Sequence, residues 1–366
     1  MPRETRFRGA TVVGTGSCVP DRVLTNADFE RMVDTSDEWI VSRTGIRQRH
    51  VVEPGQASCD LALVAAQRAL EMAGLTALDL DQIIVATLTP DHLLPSAACT
   101  LQDLLGAKNA WAFDLNAACS GFVYGVPVGT SLIATGQADT VLVVGVETLS
   151  SVTDYQDRAT CVLFGDGAGA VVLRPCDAGQ GVLATRLGCD GSQRAMLEIP
   201  AGGSRLPASH ATVDARDHYV KMKGNELFKF AVRSMESVAR QALADAGAEL
   251  ADLKFLIPHQ ANLRIINAIA DRLEVKPEQL VVNIDRYGNT SSASIPISLD
   301  ELVRGGRAKP GDLIEMVAFG GGVTWGAVLM KWDPTRAHPL PARGAAAGAG
   351  QPAPAAPVGT GAGGAA

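Results

Sequence analysis

Two textures alternate along the chain. Short continuous apolar runs of strand length, such as Ile83-Ile84-Val85, Ala170-Val171-Val172-Leu173, Phe255-Leu256-Ile257 and Ala327-Val328-Leu329-Met330, read as strands buried on both faces. Helix-like stretches separate them, among them the amphipathic run from Asn225 to Gly247.

The pattern also repeats. Ala69-Leu70-Glu71-Met72-Ala73-Gly74, followed by Asp79-Leu80 and Ile83-Ile84-Val85, recurs at a constant offset as Ala242-Leu243-Ala244-Asp245-Ala246-Gly247, Asp252-Leu253 and Phe255-Leu256-Ile257. A second echo pairs Phe164-Gly165-Asp166-Gly167 and Ala170–Leu173 with Phe319-Gly320-Gly321-Gly322 and Ala327–Met330. The expectation is an α/β body of two duplicated halves, residues 1–180 and 181–333, whose sheets are covered by helices on both faces. Residues 334–366 are almost wholly Ala, Gly and Pro and are expected to form a disordered tail.

The first offset carries Cys119 onto Ser292. Each follows a strand-like run and precedes a helix-like one. Halves packed about a pseudo-twofold axis would bring the two turns together at the centre, which predicts a shared active site.

Composition narrows the class. With 366 residues, 47% hydrophobic and 19% charged, the chain can bury a large core. No signal-peptide-like segment and no apolar stretch of about 18 residues is visible, so a cytoplasmic protein with no membrane span is expected. Seven cysteines with no paired short spacing argue against a disulfide framework and against a metal site. A net charge of −7 gives no reason to expect nucleic acid.

Three residues carry candidate chemistry. Cys119, in Asp114-Leu115-Asn116-Ala117-Ala118-Cys119-Ser120-Gly121, has small neighbours that leave its sulfur accessible. A helix N-terminus there would lower its pKa and favour thiolate, although an inert core cysteine is the alternative for the segment alone. His259 follows Phe255-Leu256-Ile257 and so lies at a strand's carboxyl end, where open α/β sheets place ligands. Asn289, in Arg286-Tyr287-Gly288-Asn289-Thr290, equally suits a turn or a helix cap.

These segments resemble the β-ketoacyl-acyl-carrier-protein synthase III family of condensing enzymes, within the thiolase-like superfamily. The likeness runs from about residue 8 to residue 333. It includes Asp37-Glu38-Trp39-Ile40 with Arg43-Thr44-Gly45-Ile46, the Cys119 turn, and Phe164-Gly165-Asp166-Gly167-Ala168-Gly169. It continues through Pro258-His259-Gln260-Ala261-Asn262-Leu263-Arg264, Gly288-Asn289-Thr290-Ser291, and Phe319-Gly320-Gly321-Gly322 with Thr324-Trp325-Gly326.

The resemblance implies a thiolase-like fold in five αβαβα layers, a homodimer, and no tightly bound cofactor. It implies that Cys119 takes an acyl group from acyl-coenzyme A, the amides of Cys119 and Gly321 hold the oxyanion, and His259 and Asn289 assist decarboxylation of malonyl-acyl-carrier-protein. Condensation would give a 3-oxoacyl-acyl-carrier-protein and initiate fatty acid synthesis. By the same resemblance, Trp39 and Arg158 sandwich the adenine of coenzyme A, Arg43 meets a phosphate, and Asn225 and Asn262 bond the pantetheine arm. Leu94 gates the acyl pocket, sometimes from the neighbouring subunit, and Lys229, Arg264 and Arg272 dock the acidic carrier protein.

Other readings stay open. A Cys, His, Asn order also occurs in papain-like hydrolases, whose local cysteine signature is absent here. A thiolase ordinarily uses a second cysteine near the carboxyl end, and the last cysteine here is Cys189. Elongating synthases pair the cysteine with two histidines. Val12-Val13-Gly14-Thr15-Gly16 matches a dinucleotide fingerprint only weakly, since its third glycine is missing and Pro20 interrupts the expected helix. A catalytically silent partner, and a variant that loads a polyketide or ester-forming pathway, complete the set. The preferred acyl chain is not readable from Leu94.

Overall fold

The computed structural model describes residues 7–340, without the side chain of Asn225. A five-stranded sheet collects β1 (Gly9–Cys18), β2 (Gln82–Ala86), β3 (Trp111–Leu115), β4 (Val141–Thr148) and β5 (Asp166–Cys176) in the order β1-β5-β4-β2-β3. A four-stranded sheet collects β6 (Val182–Cys189), β7 (Phe255–Pro258), β8 (Leu313–Gly320) and β9 (Thr324–Lys331) in the order β7-β8-β9-β6. The chain changes sheet between Cys176 and Val182.

The two sheets share one plan. In the first, β2 runs parallel to β3 and β4, while β5 runs antiparallel to β4 and β1. In the second, β7 is parallel to β8, and β9 is antiparallel to β8 and β6. Strands β2, β4, β5 and β1 thus correspond in order and sense to β7, β8, β9 and β6. A parallel bridge from Leu256 to Leu280 stands where β3 stands in the first half. The sequence echoes fall on matching strands: Ile83–Val85 on β2 with Phe255–Ile257 on β7, and Ala170–Leu173 on β5 with Ala327–Met330 on β9.

Helices α1 (Asp37–Thr44), α2 (Ser58–Ala73), α3 (Ala97–Leu105), α4 (Gly121–Ala134), α5 (Gly224–Asp245), α6 (Leu263–Arg272) and α7 (Ser294–Arg304) complete the framework. Side chains alternate across a strand, so a continuous apolar run feeds two cores at once. From β4, Val141 and Val143 join a central cluster that includes Phe122 and Val126 of α4, Ile295 and Leu299 of α7, and Ile314 and Met316 of β8. Leu142, Val144 and Val146 meet α2 and α3 instead. On the far side, Val317 and Phe319 of β8 pack against α5 and α6. The result is five layers, αβαβα, with α4 and α7 in the middle. Burying each large aliphatic side chain contributes about 1.5–3 kcal/mol, so the two-sided strands are the main source of cohesion.

Glycine permits one close approach at the centre. A Cβ on Gly145 of β4 would lie 2.3 Å from the Ser292 carbonyl oxygen, so only glycine lets the turn before α7 rest on the first sheet.

The expected tail begins later than composition suggested. Asp333 caps a short turn over Pro334–Arg336, accepting from the Thr335 amide at 3.1 Å, and the His338 amide donates to the Pro175 carbonyl at 2.8 Å. Local hydrogen bonding thus holds residues 334–340 on the body despite their poor apolar content. Residues 341–366 lie outside the described residues.

Candidate active site

The nucleophile candidate sits on a tight turn. Between β3 and α4, Ala118–Ser120 form a single 3₁₀ turn, and Ala118 takes a left-handed φ of 47°. The second half repeats this before α7, where Ser291–Ala293 form the turn and Ser291 has φ of 49°. Left-handed backbone at a residue other than glycine is uncommon and strained. Finding it at matching places in both halves shows that the duplication extends to the turns, which meet as expected. A Cβ on Gly320, at the end of β8, would lie 2.7 Å from the Cys119 nitrogen. Thr324 ties the glycine turn to the cysteine turn, donating to the Ala117 carbonyl at 2.9 Å.

Cys119, His259 and Asn289 line one cavity of about 880 Å³. His259 ends the β7–β8 ladder, its amide donating to the Val317 carbonyl at 2.8 Å. Its Nδ1 lies 2.7 Å from Ser294 Oγ, and that oxygen also accepts from the Gln260 amide at 3.4 Å. A serine proton given to Nδ1 satisfies this arrangement and leaves Nε2–H as the ring's donor. Burial pulls the His259 pKa down to about 3, so the ring is neutral at ordinary pH.

Asn289 is held through its backbone, the Asn289 amide donating to the Leu163 carbonyl at 2.9 Å and the Gly165 amide to the Asn289 carbonyl at 3.0 Å. Its Oδ1 accepts from the Ser291 amide at 2.9 Å, which leaves Nδ2 as the donor end. Two neutral donors therefore accompany the sulfur.

The sulfur itself departs from expectation. Burial pushes the Cys119 thiol up to about 11, against the lowering influence of a hydrogen bond to Ser291 and of its own backbone amide, while Glu147 raises it further. Desolvation outweighs the turn's favourable amides, so the resting group is a thiol and not the thiolate expected from a helix N-terminus.

A second cavity of about 400 Å³ also opens at Cys119. Leu88, Leu149, Phe164, Leu197, Ile199 and Val220 make it largely apolar, and Gly321 lies on its wall. Leu94 lines neither cavity of its own chain; it is 88% exposed beside an equally bare Leu93.

The mouth of the larger cavity holds most of the remaining candidates. Ser36 caps α1 by accepting from the Trp39 amide at 3.1 Å, and one turn later Arg43 shares the Trp39 face, its guanidinium 4.8 Å from the ring centre. The Arg158 guanidinium stacks on the same indole at 4.4 Å, so the two groups expected to sandwich a base rest directly on each other. Asn262 caps α6, accepting from the Arg264 amide at 2.8 Å, and donates to the Arg43 carbonyl at 3.0 Å, which ties α6 to α1. Both functional ends of its carboxamide therefore already have a structural partner. Lys229 and Arg264 line the cavity, whereas Arg272 is ion-paired with Glu236 at 2.7 Å and does not. Asn225 opens α5, and its side chain lies outside the described residues.

The family described as 3-oxoacyl-[acyl-carrier-protein] synthase III matches residues 113–191, and its C-terminal counterpart matches residues 243–332. The chain is 54% identical over 322 residues to a β-ketoacyl-[acyl-carrier-protein] synthase III of Desulfitobacterium hafniense, spanning 88% of this chain and 97% of that protein. The chain belongs to the β-ketoacyl-[acyl-carrier-protein] synthase III family. Its fold is correspondingly thiolase-like. The crystal structure of the synthase III from Aquifex aeolicus superimposes with a TM-score of 0.82 at 49% identity, covering 88% of this chain and all of that one. A priming β-ketosynthase from a polyketide biosynthetic pathway superimposes at 0.83 with 35% identity, over 90% of this chain and 98% of that one.

Three further residues pack around the centre, two of them without a signal for it in the sequence. Glu147, Ser294 and Thr324 each hold part of the centre, and none was singled out for it. The one legible signal was Glu147, a charge at the end of an otherwise apolar strand.

No helix among the described residues is long and apolar enough to cross a membrane.

Proposed function

We propose that this protein joins an acyl group from acyl-coenzyme A to a decarboxylated malonyl unit on acyl carrier protein, giving a 3-oxoacyl-acyl-carrier-protein that initiates fatty acid synthesis. The observation that carries this is the convergence of Cys119, His259 and Asn289 where two cavities meet, in a chain so similar to synthase III proteins along its length.

Cys119 attacks the thioester, and the amides of Cys119 and Gly321 hold the oxyanion. The apolar cavity receives the acyl chain. Coenzyme A, a substrate and not a resident cofactor, lies along the larger cavity. Its adenine requires Arg158 to swing off Trp39, and Arg43 faces a phosphate. Asn225 and Asn262 contact the arm, Asn262 with only its second N–H and spare lone pair.

Malonyl carrier protein then follows the same route, docking against Lys229 and Arg264, with Arg272 contributing less because Glu236 already neutralises it. Nε2–H of His259 and Nδ2 of Asn289 donate to the malonyl thioester carbonyl and stabilise the enolate left by decarboxylation. Donors of this kind are worth about 3 kcal/mol each in barrier. A neutral histidine suits the task, since it donates a hydrogen bond without giving up its proton. The enolate carbon attacks the Cys119 thioester carbon, the carbon–sulfur bond breaks, and the sulfur leaves as a thiolate that takes one proton from water to regain the thiol.

A homodimer completes the pocket. Strand β3 is an outer edge of its sheet, Trp111 on it is half-exposed, and Leu93 and Leu94 stand bare nearby in sequence. An unprotected edge with apolar neighbours suits pairing with a second copy, which would place Leu94 at the partner's acyl cavity.

Priming of a polyketide pathway is the second reading, favoured only by the likeness to the priming ketosynthase, whose identity to this chain is lower. Mass spectrometry of products from malonyl carrier protein and a panel of acyl-coenzyme A donors tests the proposal. A 3-oxoacyl carrier protein is expected; free acid alone would indicate a hydrolase.

A further inference from the structure

The backbone that holds Asn289 leads to a buried charge. The Asn289 amide donates to the Leu163 carbonyl, and the Gly165 amide donates to the Asn289 carbonyl, so Leu163–Gly165 run beside Asn289 as a short parallel bridge. One residue earlier, the Val162 carbonyl accepts twice from Arg49, from Nε at 3.0 Å and from Nη2. Arg49 lies on the short strand Gln48–His50 and is completely buried. Its Nη1 donates to Asn26 Oδ1 at 2.6 Å, and its guanidinium stacks 4.5 Å from the Phe29 ring centre.

The stem of Arg49 touches the same two segments. A Cβ on Gly288 would stand 2.9 Å from Arg49 Cγ and 2.9 Å from the Leu163 carbonyl oxygen, and one on Gly165 would stand 3.3 Å from Arg49 Cβ. Gly288 also has a positive φ of 67°, which glycine adopts without strain. Arg49 is therefore packed against both chain segments that pair to present Asn289. Its far end is fixed as well. Asn26 Nδ2 donates to Asp37 Oδ1 at 2.7 Å and to the Ile46 carbonyl at 2.9 Å, which anchors the guanidinium to the first turn of α1.

Among the described residues, the hydrogen bonds of Arg49 end on neutral oxygens. Burial pulls its pKa down to about 10, so it stays a cation at neutral pH. A buried cation with no carboxylate beside it is costly, and an apolar side chain of similar size would fill the space without that cost. What the guanidinium alone supplies is a rigid fork of charged donors on one carbonyl, stronger than neutral hydrogen bonds and fixed in direction.

We propose that Arg49 positions Asn289 for decarboxylation of the malonyl unit by clamping the Val162 carbonyl. Asn289 touches substrate in the reaction proposed above, and Arg49 is a positioning residue that acts through it, so the inference rests on that reading. A displacement of about 1 Å in the Asn289 donor is enough to cost about a hundredfold in rate. Acylation of Cys119 comes before Asn289 is used, and the clamp has no part in it.

The two half-reactions of the full chain separate this role from a merely structural one. Acetylation of Cys119 by acetyl-coenzyme A is followed by rapid quench, and condensation is then started on the acetylated enzyme with malonyl-acyl-carrier-protein. Arg49→Lys keeps the charge and loses the fork, whereas Arg49→Met keeps the bulk and loses both. Acetylation is expected within about twofold of the parent in each, while kcat for condensation falls about tenfold in Arg49→Lys and about a hundredfold in Arg49→Met, with KM for the malonyl carrier protein little changed. In an Asn289→Ala background, Arg49→Met should add no further loss. Thermal melting accompanies each variant, and Arg49→Lys carries the test alone if Arg49→Met fails to fold. Equal losses in both half-reactions, unchanged condensation, or losses that add in the Asn289→Ala background overturn the role and leave the condensation reading standing. A parent chain that acetylates Cys119 but never condenses removes that reading, and this role with it.

Discussion

Cys119, His259 and Asn289 are tuned by what surrounds them more than by their own chemistry. The histidine illustrates the sign. Its folded pKa of about 3 lies below the ordinary 6.5, so below about pH 6.5 the unfolded chain binds a proton that the native ring refuses. Stability associated with His259 is therefore intact above 6.5 and falls on acidification towards 3, by about 1.4 kcal/mol per pH unit within that window. Denaturant midpoints measured across this range should flatten in His259→Asn relative to the parent. A parallel decline in both would mean the ring is solvated in the native state. Local strings marked the three principal groups as candidates, because each sits at a strand end or a turn, but their roles came only from the family resemblance. Glu147, Ser291 as a hydrogen-bonding group, and Ser294 acquire meaning only when distant segments meet, and a linear reading has no access to that. The thiol was misread for a related reason: a helix start is visible in sequence, whereas the depth of burial that overrides it is not.

At the level of elements, the two turns before α4 and α7 and the end of β8 form one packed unit. Gly320 is the position where it tolerates least. In Gly320→Ala the new methyl meets the Cys119 nitrogen at 2.7 Å, and backbone on both sides must shift. A loss of about 1–3 kcal/mol in stability is expected together with at least tenfold slower acylation of Cys119, checked by denaturation and by rapid-quench acylation. Normal acylation in that variant would show that the turn relaxes freely. On α6, Arg264 lines the cavity mouth without an acidic partner in reach of an ion pair among the described residues, its guanidinium 5.8 Å from the Phe228 ring. Arg264→Glu should weaken kinetics with malonyl carrier protein at least tenfold and leave acyl-coenzyme A loading near the parent value. Equal loss in both half-reactions would remove the docking role. The echoes Ala69–Gly74 and Ala242–Gly247 made the strands and their duplication readable, since two-sided burial leaves a strong apolar signal. The tail boundary was not, because the bond from the His338 amide to the Pro175 carbonyl joins positions far apart in sequence, and it fixes the segment that the Asp333 cap begins.

For the molecule as a whole, two stacked halves explain why one site serves two successive substrates. In the proposed reaction the first half supplies the nucleophile and the second the donors, and two cavities open at Cys119. The bare edge of β3 and the exposed Leu93 and Leu94 lead to an expected dimer, which sedimentation should detect. Trp111→Asp should shift it towards monomer, and a parent chain that sediments as monomer would leave the acyl cavity without its proposed gate. The most direct test of the account is to incubate the full chain with acetyl-coenzyme A alone and locate any acetyl adduct by peptide mass spectrometry. A single acetyl group on Cys119, absent in Cys119→Ser, is predicted. No adduct with any acyl-coenzyme A donor, or acylation confined to other cysteines such as the exposed Cys99 and Cys189, would contradict it.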